Sequence, residues 1–280
     1  MIIINELVTP LNNEKEIDVN VFNKLINESI EKGNEYQLIF SPMGDGYLLT
    51  LEEKKALIHS IKEENIQNII LFFQLTVIEE DEKMIHLIQK SDIEYIMISP
   101  PKGFIYHQNG LFAYVRNIIK KLTNKKIILY NNPSTYQMSF HFQTIKKLHI
   151  LFPNVCCLYE NSKDISLLSL IKLNLPNINI FVNDQLIEDA LKCEYDGIVS
   201  FCSLLYANDY HQIVNDYKNK YLNKILINYL HFVNEILSFS NSSILFKAYL
   251  RKLGYQSMNV RLPLVISQSD IENLDFLLSW

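Results

Sequence analysis

Apolar residues recur along this chain in two alternating rhythms. Short unbroken apolar runs are separated by longer stretches with apolar positions three or four apart. Ile2–Val8 reads as a strand that ends at Thr9-Pro10. Val19–Lys32 is amphipathic, with Val19, Phe22, Leu25, Ile26 and Ile30 on one face, and Gly33 stops it. Tyr36–Phe40 reads as a strand, and Thr50–Glu64 as a helix capped by Thr50 with Glu53 at the capping-box position. Ile69–Phe73, Tyr95–Ser99, Lys126–Tyr130, Val155–Tyr159, Ile178–Val182 and Gly197–Phe201 are further predicted strands. The spacing predicts helices between them over Glu79–Lys90, Leu111–Leu122, Phe142–His149, Ile165–Leu173 and Leu186–Lys192, with a last one near Tyr210–Lys218.

Strands this short and apolar are expected where both faces of a sheet are buried. Strict strand–helix alternation implies parallel strands joined by right-handed crossovers. Eight such units predict a (β/α)8 barrel over residues 1–218. Helical patterns around Leu222–Leu237, Ile244–Leu253 and Asp270–Leu278 predict a C-terminal helical bundle over residues 219–280, packed on the barrel. Such barrels place function at the C-terminal strand ends. The segments to inspect are therefore Thr9-Pro10, Ser41–Gly46, Gln74–Thr76, Ser99–Lys102, Tyr130–Pro133, Tyr159–Asp164, Val182–Asp184 and Ser200–Leu204.

Composition narrows the partners. Hydrophobic residues make up 48% of the 280 and charged residues 20%, enough for a large core. No apolar run reaches the roughly 18 residues that span a bilayer. The N-terminus has no basic region or small-residue cleavage site, so a cytoplasmic protein without a signal peptide is expected. Net charge is −5 with the two signs interspersed, so no basic stripe points to nucleic acid. Cys156, Cys157, Cys193 and Cys202 fit neither a zinc pattern nor a disulfide framework, and Cys156 and Cys157 should point to opposite faces of their strand. His107, His141, His149 and His211 also lack metal-ligand spacing, and neither a metal nor a cofactor is expected. Glycine is scarce, at 7 residues, which points to few places where backbone approaches a ligand closely.

The strand ends carry a pattern that resembles the dihydrodipicolinate synthase / N-acetylneuraminate lyase family. Val8-Thr9-Pro10 followed by Ile17-Asp18 is similar to that family's opening. Ser41-Pro42-Met43-Gly44-Asp45 and then Leu49-Thr50-Leu51-Glu52-Glu53 stand where the family has Gly-Thr-Thr-Gly-Glu and Leu-Thr-x-x-Glu. Leu129-Tyr130-Asn131-Asn132-Pro133 resembles its Tyr-Asn-x-Pro, and Gly197-Ile198-Val199-Ser200 its Gly-Val-Ile-Ser. Val260-Arg261-Leu262-Pro263-Leu264 resembles its Val-Arg-x-Pro-Leu. The resemblance implies a (β/α)8 barrel with a C-terminal helical bundle, usually a tetramer built from dimers.

It also implies a chemistry that this chain does not repeat. In the family a lysine ending the sixth strand forms an imine with pyruvate or another 2-oxo acid, and the imine serves as an electron sink. Aligned with Gly-Ile/Val-Lys-Asp/Glu-x-Ser-Gly-Asp, the chain reads Cys157-Leu158-Tyr159-Glu160-Asn161-Ser162-Lys163-Asp164. A phenol at Tyr159 cannot form an imine. The threonines that bind the substrate carboxylate and relay protons are replaced by Pro42 and Met43, and Pro42 also lacks an N–H. Lys102 follows Pro100-Pro101 where the synthases have a tyrosine, Thr135 stands for their arginine, Val182 for a glycine and Leu204 for an asparagine. Of the central catalytic set only Tyr130 remains.

Each candidate has a functional and a plain reading. Tyr130 is a proton donor or a packed ring with a hydrogen-bonded hydroxyl. Tyr159 contacts a ligand or fills the pocket. Lys102 and Lys163 are relocated amines or solvated lysines. Gly44 keeps a turn, and Asp45 has a structural task beside it. Glu160, Ser162 and Asp164 read as a serine-capped helix start. Asn132 and Ser200 complete the candidate pocket with Pro42, Met43, Gly44, Asp45, Lys102 and Val182. The leading expectation is a family member without imine chemistry. It would bind a small carboxylate, regulate, or join an active paralogue in a hetero-oligomer. The second is a lyase or aldolase acting on a 2-oxo acid or sugar acid through a relocated lysine or through acid–base work by Tyr130, Tyr159 and Asp45. The third is a purely structural homo-oligomer component.

Overall fold

Side chains alternate across a strand, so a run with no polar residue in it buries both faces. Ile69–Phe73 does so at all five positions. The computed structural model describes residues 1–76, 78–103, 105–238 and 242–278. Among them, eight strands follow one another in chain order around a closed parallel barrel. They are β1 (Ile2–Glu6), β2 (Tyr36–Ile39), β3 (Ile69–Phe73), β4 (Tyr95–Ile98), β5 (Lys126–Asn131), β6 (Val155–Glu160), β7 (Asn179–Asn183) and β8 (Gly197–Ser200). The helices between them are α1 (Val19–Glu31), α2 (Leu51–Glu63), α3 (Ile78–Lys90), α4 (Gln108–Ile119), α5 (Pro133–Tyr136), α6 (Phe142–Leu151), α7 (Ile165–Asn174) and α8 (Ile187–Lys192). Beyond β8 come α9 (Ser203–Lys218), α10 (Lys224–Leu237), α11 (Ser242–Lys252) and α12 (Gln268–Leu278). No helix of the described residues is long and apolar enough to cross a membrane. Contacts group the chain into two compact units, Met1–Ile2 with Ile61–Val199 and Ile3–Ser60 with Ser200–Trp280.

In the first unit, β3 to β8 pair in parallel, and Tyr130 of β5 stands opposite Tyr159 of β6. Gly197 opens β8 because a Cβ there would meet the Ile2 carbonyl oxygen at 2.6 Å. In the second unit, β1 pairs with β2. The predicted capping box of α2 forms in full: Thr50 N–H donates to Glu53 Oε2 at 2.8 Å and Glu53 N–H to Thr50 Oγ1 at 3.2 Å. Arg261 then grips Glu53 with both ends of its guanidinium, at 2.7 and 3.1 Å, and also reaches the Leu48 and Lys15 carbonyls. Its hydrogen bonds hold the Glu53 carboxyl below the usual carboxylate range.

Four expectations change. Ile30 of α1 is 40% exposed, and the neighbouring Ser29 is buried instead. Ser29 accepts from Asn34 Nδ2 at 3.0 Å, and this bond closes the turn at Gly33. The last barrel helix starts at Ser203, well before Tyr210, because non-helical backbone at Tyr206 interrupts the apolar spacing. The start of α7 is capped by Asp164, which accepts from Leu167 N–H at 2.9 Å. Ser162 does not cap it, because its hydroxyl and N–H are turned back onto Glu160. Cys156 and Cys157 do not diverge: their Sγ atoms are 3.6 Å apart, at a register shift between β5 and β6.

Candidate functional site

At the ends of β5 and β6, parallel register alone brings two tyrosines side by side. Tyr130 and Tyr159 are 3% and 1% exposed. Their ring centroids lie 5.1 Å apart. Phe72, from β3, meets the Tyr130 ring edge-on at 5.2 Å, and Tyr136 meets it edge-on at 5.9 Å. Edge-on and offset rings are the arrangements favoured by the aromatic quadrupole, at about 0.5–1.5 kcal/mol per pair beyond area burial. Pro133 and Asn132 place Tyr136: Asn132 Oδ1 accepts from Thr135 N–H and Pro133 opens the single turn of α5. The Tyr136 hydroxyl donates to Gln74 Oε1 at 3.3 Å. Tyr136 carries no motif signal, so only the folded loop reveals it as part of the cluster.

The Tyr130 hydroxyl accepts from Asn132 Nδ2 at 2.9 Å and from Asn161 Nδ2 at 3.4 Å. Asn132 therefore does two jobs, capping α5 and orienting that phenol. One residue along, the alternation points the next pair the other way. Asn131 Nδ2 donates to Glu160 Oε2 at 3.0 Å, and Asn131 also binds the Phe140 backbone through both its amide groups. Glu160 is fully buried and accepts from Ser162 N–H at 2.8 Å and from the Ser162 hydroxyl. Burial pushes its carboxyl above the usual range, against the pull of these donors. Asn131 and Glu160 thus tie the loops after β5 and β6 together. Val182, opposite Glu160 on β7, is wholly buried. Lys102 and Lys163 are both solvent-exposed, and Lys163 has φ of 60°.

The second unit holds a different cluster after β2. Pro42 is half-buried and Met43 is buried. Gly44 is needed where it stands, since a Cβ would meet the Leu7 carbonyl oxygen at 2.4 Å. Its N–H donates to Ser41 Oγ at 3.0 Å, and its carbonyl accepts from Thr9 Oγ1 at 2.6 Å. Asp45 follows in the left-handed region at φ 58°, a conformation aspartate tolerates better than most residues. Its Oδ2 accepts from Lys247 Nζ at 2.6 Å and its Oδ1 from Ser243 Oγ at 2.5 Å. Lys247 is completely buried in α11 and also donates to the Asn259 carbonyl at 3.3 Å. Burial lowers the pKa of this amine, while the Asp45 carboxylate works against that fall. Asp45 therefore anchors α11 to the loop after β2. Sequence reasoning missed Lys247, although a lone lysine inside the apolar run Ile244–Leu250 is a legible signal. Ser200 bonds with the Tyr210 hydroxyl at 3.1 Å.

The four candidate histidines stand at helix starts or against backbone carbonyls. His107 and His141 stand at the N-cap positions of α4 and α6. His149 Nδ1 contacts the Val155 carbonyl at 2.7 Å, and His211 Nε2 contacts that of Gly33 at 2.8 Å. Chemically, the first unit offers an oriented phenol at Tyr130 beside a packed phenol at Tyr159. The second offers a buried ammonium–carboxylate pair.

Comparison with known proteins gives one consistent picture. The model of the dihydrodipicolinate synthetase family matches residues 1–275. The 4-hydroxy-tetrahydrodipicolinate synthase of Fervidobacterium nodosum is 26% identical over 279 residues, 96% of this chain and 94% of that one. The N-acetylneuraminate lyase 2 of Escherichia coli O6:H1 is 23% identical over 221 residues, 78% of this chain and 72% of that one. Among solved structures, the synthase of Cyanidioschyzon merolae with lysine bound superposes with a TM-score of 0.90 at 22% identity, covering 99% of this chain and 97% of that one.

Proposed function

We propose that this chain, which belongs to the dihydrodipicolinate synthetase family, forms no imine with a 2-oxo acid and serves as a non-catalytic subunit. It would assemble with copies of itself or with a lysine-bearing paralogue. One observation carries this reading. The position where the resemblance expects the imine-forming lysine is Tyr159, only 1% exposed and packed on Tyr130. Imine formation needs an unprotonated amine that the carbonyl carbon can reach. Lys247 is sequestered by Asp45 and the Asn259 carbonyl, and Lys102 and Lys163 are solvent-exposed. Of the roles left to such a protein, the dense ring packing at β5 and β6 supports a subunit role over capture of a small carboxylate at that spot.

The test is borohydride trapping with pyruvate and a panel of other 2-oxo and sugar acids, read by intact-protein mass spectrometry. The expected result is an unmodified chain, together with mixed oligomers on co-expression with a lysine-bearing paralogue. An adduct mapped to any lysine would refute the reading. A second reading, a lyase working by acid–base chemistry without an imine, rests on the Tyr130 hydroxyl held by Asn132 and Asn161. Turnover of a 2-oxo or sugar acid that disappears in Tyr130→Phe, with no trapped adduct, would support that alternative.

A further inference from the structure

The start of β6 departs from regular alternation. Ile127 of β5 stands opposite Val155, yet the next residue, Ile128, stands opposite Cys157. Cys156 is thus the extra residue of a β-bulge. In a regular strand the side chains of Cys156 and Cys157 would leave opposite faces. In the bulge they converge, with Sγ atoms 3.6 Å apart and the Cys156 thiol also 3.9 Å from the Ile127 carbonyl oxygen. Both are free thiols, Cys156 half-buried and Cys157 buried. The Cys157 hydrogen bond, helped by the charge of Lys126, lowers the Cys156 pKa. The Cys157 pKa moves upward, through its bond to Cys156, burial and the charge of Asp196.

A bond between the two sulfurs is a poor fit. Consecutive Cα atoms lie about 3.8 Å apart across a trans peptide, whereas disulfides usually span about 4.4–6.8 Å between Cα atoms. A single centre held between the sulfurs fits far better. With sulfur bonds of about 2.3 Å, the observed separation gives an angle at the centre of about 100°. A linear two-coordinate metal would need the sulfurs about 4.6 Å apart with the same bonds. A tetrahedral metal needs further ligands, and among the described residues no group of three or more His, Cys, Asp or Glu side chains could hold one. A pyramidal trivalent centre that brings its own third substituent needs only two thiols.

We propose that Cys156 and Cys157 form a bidentate dithiol site for a monosubstituted trivalent arsenical, a pyramidal thiophilic centre. The reaction of such an arsenic oxide with the pair is a condensation. Two S–H bonds and the arsenic–oxygen bond break, two As–S bonds form, and the oxygen leaves as water with both protons. No atom changes oxidation state. Its residues lie two and three positions before Tyr159, about 7 and 10 Å along the strand, and the site does not depend on the function proposed above.

The probe is phenylarsine oxide. The intact protein should bind one equivalent per chain, with Cys156 and Cys157 both occupied in the mapped adduct, and release the arsenical to dithiothreitol but not to a monothiol. Linking two ligands in one site raises affinity by about 10²–10⁴. Cys156→Ala and Cys157→Ala should each therefore weaken binding at least about a hundredfold, while Cys193→Ala leaves it unchanged. Should the buried Cys157→Ala variant fail to fold, Cys156→Ala decides, together with peptide mapping of the wild-type adduct. Retained tight binding in Cys156→Ala, an adduct on Cys193, or no one-to-one complex would overturn the proposal.

Discussion

Replacing Lys247 by methionine tests whether the buried ion pair organises the second unit. Methionine keeps an unbranched side chain of similar length, so the main loss is the ammonium. Lys247 and Asp45 are 0% and 3% exposed and 2.6 Å apart. Removing one partner of such a pair typically costs about 3–5 kcal/mol, because a charge is left buried without its counterion. Ser243 still donates to Oδ1 and softens the loss slightly. With an unfolding entropy of about 2.1 cal/mol/K per residue, a loss of about 4 kcal/mol lowers Tm by about 7 °C for a chain of this length. Urea unfolding of Lys247→Met should show this loss at pH 7. Asp45→Asn added to Lys247→Met should recover part of it, since no bare charge remains and asparagine also tolerates the left-handed conformation. A change below about 1 kcal/mol at pH 7, or no recovery in the double variant, would refute the reasoning.

Three further outcomes are expected. The raised pKa of Glu160 means that its stabilising contribution is fully present below its unfolded value of 4.5 and is lost as pH rises through the folded value; unfolding of Glu160→Gln across pH 4–8 should lack that downward slope. Glu53 is the opposite case, with its pKa lowered by Arg261, so its contribution is present above 4.5 and lost as pH falls. Arg261→Lys cannot keep the forked grip, and acid titration by circular dichroism should show it unfolding at a higher pH than wild type, with about 1–3 kcal/mol lost at pH 7. Gly44→Ala puts a Cβ against the Leu7 carbonyl oxygen and should cost about 1–3 kcal/mol in thermal unfolding, whereas alanine at Gly110, where that Cβ meets nothing within 4 Å, should be tolerated.

The barrel was legible because its signals are local. Apolar runs mark strands, the Thr50–Glu53 box marks a helix start, and both appear where the pattern places them. Errors arose where a specific polar partner, near or far, overrides the local pattern. Ser162 looks like a cap until Glu160 claims both its hydroxyl and its N–H. Ile30 fits the apolar stripe of α1, but Ser29 is buried by its bond to Asn34 in the following turn. The task of Asp45 could be placed near a turn, yet the ammonium it holds is about 200 residues away in α11, a separation no local pattern spans.

The sixth strand shows most clearly what a one-strand reading misses. Its alternation is a property of the pair β5–β6, and Ile127 and Ile128 alone give no sign that β6 gains a residue there. Beyond the bulge the register is regular, so it delivers Tyr159 opposite Tyr130 and Glu160 opposite Asn131. The same bulge therefore has two consequences. It turns the thiols of Cys156 and Cys157 together at one end, and by setting the phase of the strand it decides that residue 159 rather than its neighbours joins the ring cluster at the other. A lysine placed at 159 would inherit that phase and meet the Tyr130 ring, which Phe72 and Tyr136 hold edge-on from its other sides.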